Sequence, residues 1–375
     1  MRLLGIYVHV PFCERRCGYC AFNTYVLSES GGSAATERYV SGAIAEIELA
    51  DRTIGPERPA LTSLFFGGGT PTMLSADQIG TIIGAVRQRF EVRRDLEVTI
   101  EANPDGLAVG QLEQLREAGA TRVSFGMQSI RPRVLQLLDR THDPERALQS
   151  VAEARAAGFD HVSLDLIYGT PGETQDDWLA TLDAVLSADV DHISAYALGI
   201  EPGTKLAARV RRGELPGPDP DEAADRYESA DDRLTAAGFD WYEISNWARS
   251  PDARCRHNLL YWRNDDWWGI GPGAHSHLDG TRWWNQDSPE LWAEAAIGGD
   301  DPAAGREVLD VDQRRLEDLM LGIRLSEGWP VPAGSSADPI ASDLLVDGLA
   351  DHRDGRVVLT TAGRMLADEV VRRLS

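Results

Sequence analysis

The sequence predicts an α/β fold of six parallel βα units, followed by a tryptophan-rich stretch and a small α+β piece. Three observations carry this. Six short runs rich in Val, Ile, Leu and Phe alternate with stretches of helical periodicity between residues 3 and 196. Polar residues recur where those runs end: Cys13, Gly68, Glu101, Gln128 and Asp165 are placed at or just past strand C-termini, where parallel folds put their sites. Composition then shifts after residue 200 and again near 303. The pattern alone does not choose between an open sheet and a barrel.

Taken in order, the first strand, residues 3–10, is apolar and stopped by Pro11. A loop with three cysteines follows. Residues 36–50 place Tyr39, Ala43, Ile47 and Ala50 at helical spacing. The second strand, 61–66, is broken by Gly67-Gly68-Gly69, and a helix over 76–89 takes Ser75 as its cap with Asp77 in its first turn. Strand 96–101 leads to a helix near 108–118. Strand 122–126 leads to helices near 131–138 and 144–157, the second closed by Gly158. Strand 162–167, helix 174–187 and strand 191–196 end the series. Beyond it, 213–220 is a loop and a helix near 221–237 stops at Gly238. Residues 239–292 hold eight of the ten tryptophans, with period-2 stretches such as 240–244 reading as short strands. A helix over 310–322, another near 338–349, a hairpin around Gly355 to Leu359 and a last helix from Thr361 suggest a winged-helix-like appendage. The domains expected are 1–200, 201–300 and 301–375.

The chain has 375 residues, 42% hydrophobic and 26% charged, the balance of an ordinary folded protein. With 37 basic against 60 acidic side chains its formal charge is −23, which repels nucleic acid unless a basic groove offsets it. The basic candidates, Arg87, Arg89, Arg93, Arg94 and the run Arg209-Val210-Arg211-Arg212, sit among acids and read as solvated helix faces. No nucleic-acid partner is expected. No apolar run approaches the ~18 residues of a membrane span, and no leader of secretory type opens the chain, so a cytoplasmic location is expected. Disulfides seldom persist there, and three of the four cysteines fall within eight residues, which points to metal or redox chemistry.

Cys13-x-x-x-Cys17-x-x-Cys20 puts three thiolates on one tight loop, able to reach three irons of a cubane and to leave the fourth open. Soft thiolates suit Fe–S or zinc, but a structural zinc site takes four protein ligands. His9 lies in a strand, and Cys255 is 235 residues past Cys20. Three ligands and one open iron describe a cofactor-binding arrangement.

This loop resembles that of the radical S-adenosylmethionine (SAM) superfamily. The segments Tyr7-Val8-His9-Val10-Pro11-Phe12-Cys13, Phe65-Phe66-Gly67-Gly68-Gly69-Thr70-Pro71-Thr72, Glu101-Ala102-Asn103-Pro104, Gly126-Met127-Gln128-Ser129 and Asp165-Leu166-Ile167-Tyr168-Gly169-Thr170-Pro171-Gly172 resemble its HemN/HemW group, from residue 3 to the C-terminus. The resemblance implies a partial (β/α)6 radical SAM barrel with a small C-terminal domain. It implies a [4Fe–4S] cluster on Cys13, Cys17 and Cys20, an electron donor to it, and SAM chelated at the open iron, where cleavage gives a 5′-deoxyadenosyl radical. Carried over residue by residue, the SAM contacts fall on Tyr7, Tyr19, Gly68, Gly69, Thr70, Glu101, Gln128, Arg140 and Asp165. Glycines permit close backbone approach, Thr70 adds a hydroxyl, Arg140 a donor to a carboxylate, and Asp165 an acceptor for ribose hydroxyls. No residue is assigned a catalytic role.

The group contains oxygen-independent coproporphyrinogen III oxidases and haem chaperones. In the oxidases the cysteine motif continues to a further cysteine, where this chain has Phe22. His257-Asn258-Leu259-Leu260-Tyr261-Trp262 matches the HNxxYW motif of the haem-binding members, and the first strand begins at residue 3, without the extension of many oxidases. The resemblance therefore implies the chaperone: haem is bound and delivered to an acceptor protein, with membrane-associated respiratory enzymes as typical clients. Oxidative decarboxylation is the disfavoured alternative, and the use of SAM cleavage is left open. Imidazole is a good axial ligand for haem iron, so His257 is the expected ligand. Asn258, Tyr261 and Trp262 would support the haem region, and Trp267 and Trp268 would add flat surface. Cys255, His275 and His277 are lesser alternatives.

Overall fold

Residues 2–331 and 337–375 are described in a computed structural model of the chain. Six strands form where the apolar runs predict them: β1 (Leu4–Val10), β2 (Leu61–Gly68), β3 (Val92–Ala102), β4 (Arg122–Gln128), β5 (His161–Tyr168) and β6 (His192–Ala197). They lie side by side in chain order and pair in parallel. Helix Ser33–Ile54 fills the first crossover, Ala76–Arg89 the second and Gln175–Leu186 the last. Ser75 accepts from the Gln78 amide while the Gln78 side chain reaches back to the Ser75 amide, a reciprocal cap that fixes where the second crossover helix starts.

Each strand alternates. Ile6, Val8 and Val10 of β1, Leu64 and Phe66 of β2, Val98 and Ile100 of β3, and Val123, Phe125 and Met127 of β4 share one buried core with Ile47, Ile79, Ile83 and Val86 of the covering helices. The residues between them point the opposite way. Phe65, Thr99, Glu101, Ser124, Ser163, Asp165 and Ser194 all line one cavity. The apolar phase of each strand takes the helices, and the polar phase reserves an interior for a ligand. Register brings Glu101 opposite Ser124, Ser124 opposite Ser163, and Asp165 opposite Ser194. Asp165 thus sits inside β5 and faces the interior, where the sequence reading had it at a strand end.

The sheet does not close. Past β6 it adds β7 (Asp240–Glu243) and β8 (Asn246–Ala248), and past β1 it adds β9 (Asp266–Ile270), β10 (His275–Leu278), β11 (Thr281–Asn285) and β12 (Ala303–Val308), for twelve strands in all. β9 runs parallel to β1 with Leu4 opposite Asp266, a seventh parallel strand hidden in the tryptophan-rich stretch. The architecture is the partial barrel, extended along both open edges. Helix Arg256–Trp262 packs on β1, β2 and β9 and gives Asn258 to the cavity wall.

The last part of the chain has its own core of Ile323, Leu344, Val357 and Val370, built by helices Val311–Gly322, Ala337–Val346 and Ala367–Leu374 around a small sheet of Trp329–Pro330, Ala350–Arg353 and Arg356–Leu359. Arg364 docks it. Its guanidinium donates to Asp231 on helix Pro220–Ala236 at 2.9 Å and lies 4.3 Å over the Trp241 ring, while Trp247 donates to the same carboxylate at 2.9 Å. β12 belongs to the large sheet although it lies past residue 300.

Candidate functional site

Pro11 ends β1, and the chain turns into Phe12–Cys13, which pairs in parallel with Tyr25–Val26. The cysteine loop is the excursion between these two short strands. The Tyr25 amide closes it by donating to the Pro11 carbonyl at 2.7 Å, and Gly18 in its middle bonds Leu138 and Leu206 through its own amide and carbonyl. β2 exits against this loop. The Gly69 amide donates to the Val10 carbonyl at 2.8 Å, and a Cβ there would stand 2.6 Å from the Phe12 carbonyl and 3.1 Å from the Cys13 sulfur. Only glycine permits that approach.

An arc of hydrogen bonds joins two of the cysteines. The Thr70 hydroxyl donates to Cys13 Sγ at 3.8 Å, and Asn103 Nδ2 donates to Thr70 at 2.9 Å. Arg140 Nη1 donates to Asn103 Oδ1 at 2.8 Å and to Cys17 Sγ at 3.8 Å. Arg140 Nη2 donates to the Gly126 carbonyl at 2.8 Å, leaving Nε buried with no partner. Burial pushes the Cys13 thiol up to about 11 and raises Cys20 as well. Cys13 and Cys20 therefore hold their protons at neutral pH, and a metal must displace them. Among the described residues no three His, Cys, Asp or Glu side chains converge on one ion-sized position. Three thiols around a wider opening, with an unpaired guanidinium nitrogen beside them, fit an iron–sulfur cluster carrying an anionic ligand better than they fit a single zinc ion.

A cavity of about 600 Å³ opens beside the loop, within the range of small-molecule sites. It is lined by Cys13, Cys17 and Cys20 and by eight of the nine residues expected to contact SAM: Tyr19, Gly68, Gly69, Thr70, Glu101, Gln128, Arg140 and Asp165. Tyr7 is not in the lining. Its hydroxyl bonds His9 Nδ1 at 3.0 Å, and His9 Nε2 meets the Asn23 carbonyl at 2.8 Å, so Tyr7 braces the loop from behind. Gln128 ends β4 at φ 64°, beside the bulge that shifts the β4–β5 register. That left-handed backbone is uncommon for glutamine and marks a functional constraint. Burial, then the charge of Asp165, pushes Glu101 up to about 8, against a bond from the Gly68 amide. Burial raises Asp165 too, relieved by bonds from Ser194 and Ser124, the latter at 2.9 Å, and by Arg140. Two neighbouring acids so held would both be relieved by a cationic ligand carrying hydroxyl donors.

The sequence reading missed the rest of the wall. Asn103, Arg122, Ser124, Ser163, His192, Ser194 and Tyr196 complete it. The polar residue at every second strand position was the signal that would have found them. Below, Arg122 pairs with Glu97 at 3.2 Å, and His192 bonds Ser163 at 2.7 Å and Tyr242 at 2.8 Å, making a polar floor.

The HNxxYW segment is packed inward in this structure. His257 is 1% exposed, and both its ring nitrogens are in use: Nδ1 with Ser63 at 2.9 Å and Nε2 with Tyr261 at 2.8 Å. Burial pushes it down to about 3. Glu97 accepts from the His257 amide and the Arg256 amide, both at 3.1 Å, so the motif anchors its helix to the barrel floor. Burial pushes the neighbouring Glu243 up to about 8, and the Asn258 and Trp262 side chains near it lower that rise. Cys255 is buried with its thiol at 3.6 Å from Glu97, and His277 uses both nitrogens on Asp265 and Gly280. Trp268 is buried. No helix among the described residues is long and apolar enough to cross a membrane.

Comparison with known proteins places this geometry. Residues 7–185 match the family model of the radical SAM superfamily. Over its whole length the chain overlays coproporphyrinogen III oxidase (HemN) of Escherichia coli with a TM-score of 0.82, covering 90% of that structure at 23% identity, which shows a shared fold. A partial barrel with this cysteine loop at its mouth is thus a radical SAM fold. Within that class, the chain is 50% identical over 371 residues to heme chaperone HemW of Mycobacterium tuberculosis, covering 99% of this chain and 94% of the relative. It is 33% identical over 374 residues to heme chaperone HemW of Bacillus subtilis, covering 97% of each. The chain belongs to the HemW family of radical SAM proteins.

Proposed function

We propose that this chain is a haem chaperone that holds a [4Fe–4S] cluster on Cys13, Cys17 and Cys20, binds SAM in the adjoining cavity, and carries haem to an acceptor protein. The observation that carries the reading is the coincidence of a radical SAM cavity with near full-length likeness to relatives named heme chaperones. Arg140 Nε and the Gly68–Thr70 backbone would meet the methionine end of SAM, and Glu101 and Asp165 its ammonium and ribose. When bound, the cluster supplies single electrons at the edge of that pocket. Thr70 and Arg140 would steady two of the cysteine sulfurs that hold it. The acceptor, the electron donor and a cytoplasmic site of action are part of the same proposal, with a respiratory haem enzyme as the kind of acceptor we favour.

Oxidative decarboxylation is not favoured. Phe22 stands 64% exposed on the cavity wall where the oxidases carry a further cysteine. The test is anaerobic reconstitution followed by parallel haem titration and coproporphyrinogen III turnover. Stoichiometric haem binding without carbon dioxide release supports the chaperone; turnover without haem binding replaces it with the oxidase.

A further inference from the structure

Asn103 sits between two residues that reach the cysteine sulfurs, and its local setting shows what it forgoes to do so. It follows β3 and occupies the N-cap position of the short helix Pro104–Gly106. Asparagine is among the residues that ordinarily cap such a start with their own side chain, yet Asn103 makes no side-chain cap bond there. Pro104 holds it in extended backbone, at φ −85° and ψ 136°. The side chain lines the cavity instead and engages both ends of its amide. Nδ2 donates to the Thr70 hydroxyl at 2.9 Å, and Oδ1 accepts from Arg140 Nη1 at 2.8 Å.

The direction of this amide is fixed, and it fixes the hydroxyl in turn. Arginine has donors and no acceptor, so a reversed amide would set Nδ2 against Arg140 Nη1, donor to donor. With Oδ1 on Arg140, Nδ2 must face Thr70. The Thr70 oxygen then accepts, and its single hydrogen is left for Cys13 Sγ at 3.8 Å. The Thr70 amide, bonded to the Phe12 carbonyl at 2.8 Å, holds the residue against the cysteine loop. The other arm runs through Arg140. Nη1 divides its hydrogens between Asn103 and Cys17 Sγ, at 2.8 and 3.8 Å, while Nη2 is held by the Gly126 carbonyl at 2.8 Å. A Cβ at Gly126 would stand 2.4 Å from Nη2, so glycine is what lets the guanidinium lie there.

We infer that Asn103 is a positioning residue for the cluster: through Thr70 and Arg140 it aims one hydrogen bond at each of Cys13 and Cys17, and thereby raises the reduction potential of the iron–sulfur centre. Hydrogen bonds to ligand sulfurs favour the reduced, more negative cluster. The inference rests on the cluster reading of the proposed function and adds what sets the readiness of that cluster to take up an electron.

Redox titration of the anaerobically reconstituted full-length chain, followed by electron paramagnetic resonance in the absence of SAM, tests it. Asn103→Leu, close in size and uncharged, moves the midpoint potential to a more negative value with iron content unchanged. Asn103→Ala moves it the same way and serves where the leucine variant does not fold or assemble a cluster. Thr70→Val lowers the potential less than Asn103→Leu, because only the Cys13 arm is lost. Its effect is smaller in the Asn103→Leu background than in the wild type, since the two side chains act in one chain of bonds. A wild-type potential in an Asn103 variant that holds its cluster overturns the assignment, and so do equal shifts from Thr70→Val in both backgrounds. A wild-type chain that assembles no [4Fe–4S] cluster overturns it together with the cluster reading.

Discussion

The cysteine loop and the HNxxYW helix are both dense in chemistry-bearing side chains, yet they stand in opposite states. Around the loop, partners run out: Arg140 Nε is buried unpaired, burial raises Glu101 and Asp165, and the charge of Asp165 adds to the rise of Glu101. Around the helix, the ring of His257 is matched with Ser63 and Tyr261, and the helix start with Glu97. Buried polar groups without partners cost free energy, so the first region is built for something to arrive, and the second is built to stay shut. Residue type marks both; only partner accounting separates them.

That contrast breaks most visibly at the sulfurs. Cys17→Ser should abolish cluster assembly, read as lost iron and lost absorbance in the visible, while thermal unfolding of the unliganded chain changes little. Next comes the floor under the HNxxYW helix. Glu97→Ala strands the buried Arg122 guanidinium and should cost about 3–5 kcal/mol in urea unfolding. His257→Ala should cost less, about 1–3 kcal/mol for the hydroxyls it leaves unpaired, and should leave the haem Soret band in place. Loss of that band in a folded His257→Ala protein would erase the difference between the two regions.

A separate effect is one of pH. Glu101 holds its proton to about pH 8 in the folded chain, against an ordinary value of 4.5. The folded state thus binds more protons between those values, and this group's contribution to stability is lost as pH rises from one to the other. Binding of a cation to the ionised acid runs the other way, so SAM affinity should strengthen as pH rises towards 8. Glu101→Gln should flatten both trends in calorimetry.

Much of this was legible before the structure. The six strands and their helices fall where apolar runs, Ser75 and Gly158 predicted, because those signals are local. The cysteine spacing, the glycines and the acids were legible as types. What was not legible depended on register and on partners far along the chain. Asp165 was placed at a strand end because its inward phase appears only once β5 is paired with β4 and β6. β9 was hidden because two adjacent tryptophans give no alternation to read. The partners of His257 were not legible because Ser63, which bonds its Nδ1, lies 194 residues away.

The central claim is that three sulfurs and the adjoining cavity hold a cluster with one iron open to SAM. Electron paramagnetic resonance of the reduced, reconstituted chain tests it directly. The account predicts a [4Fe–4S] signal that shifts on adding SAM, and whose shift is lost in Arg140→Ala. Bound zinc in place of iron, or a cluster signal that SAM leaves untouched, would contradict it.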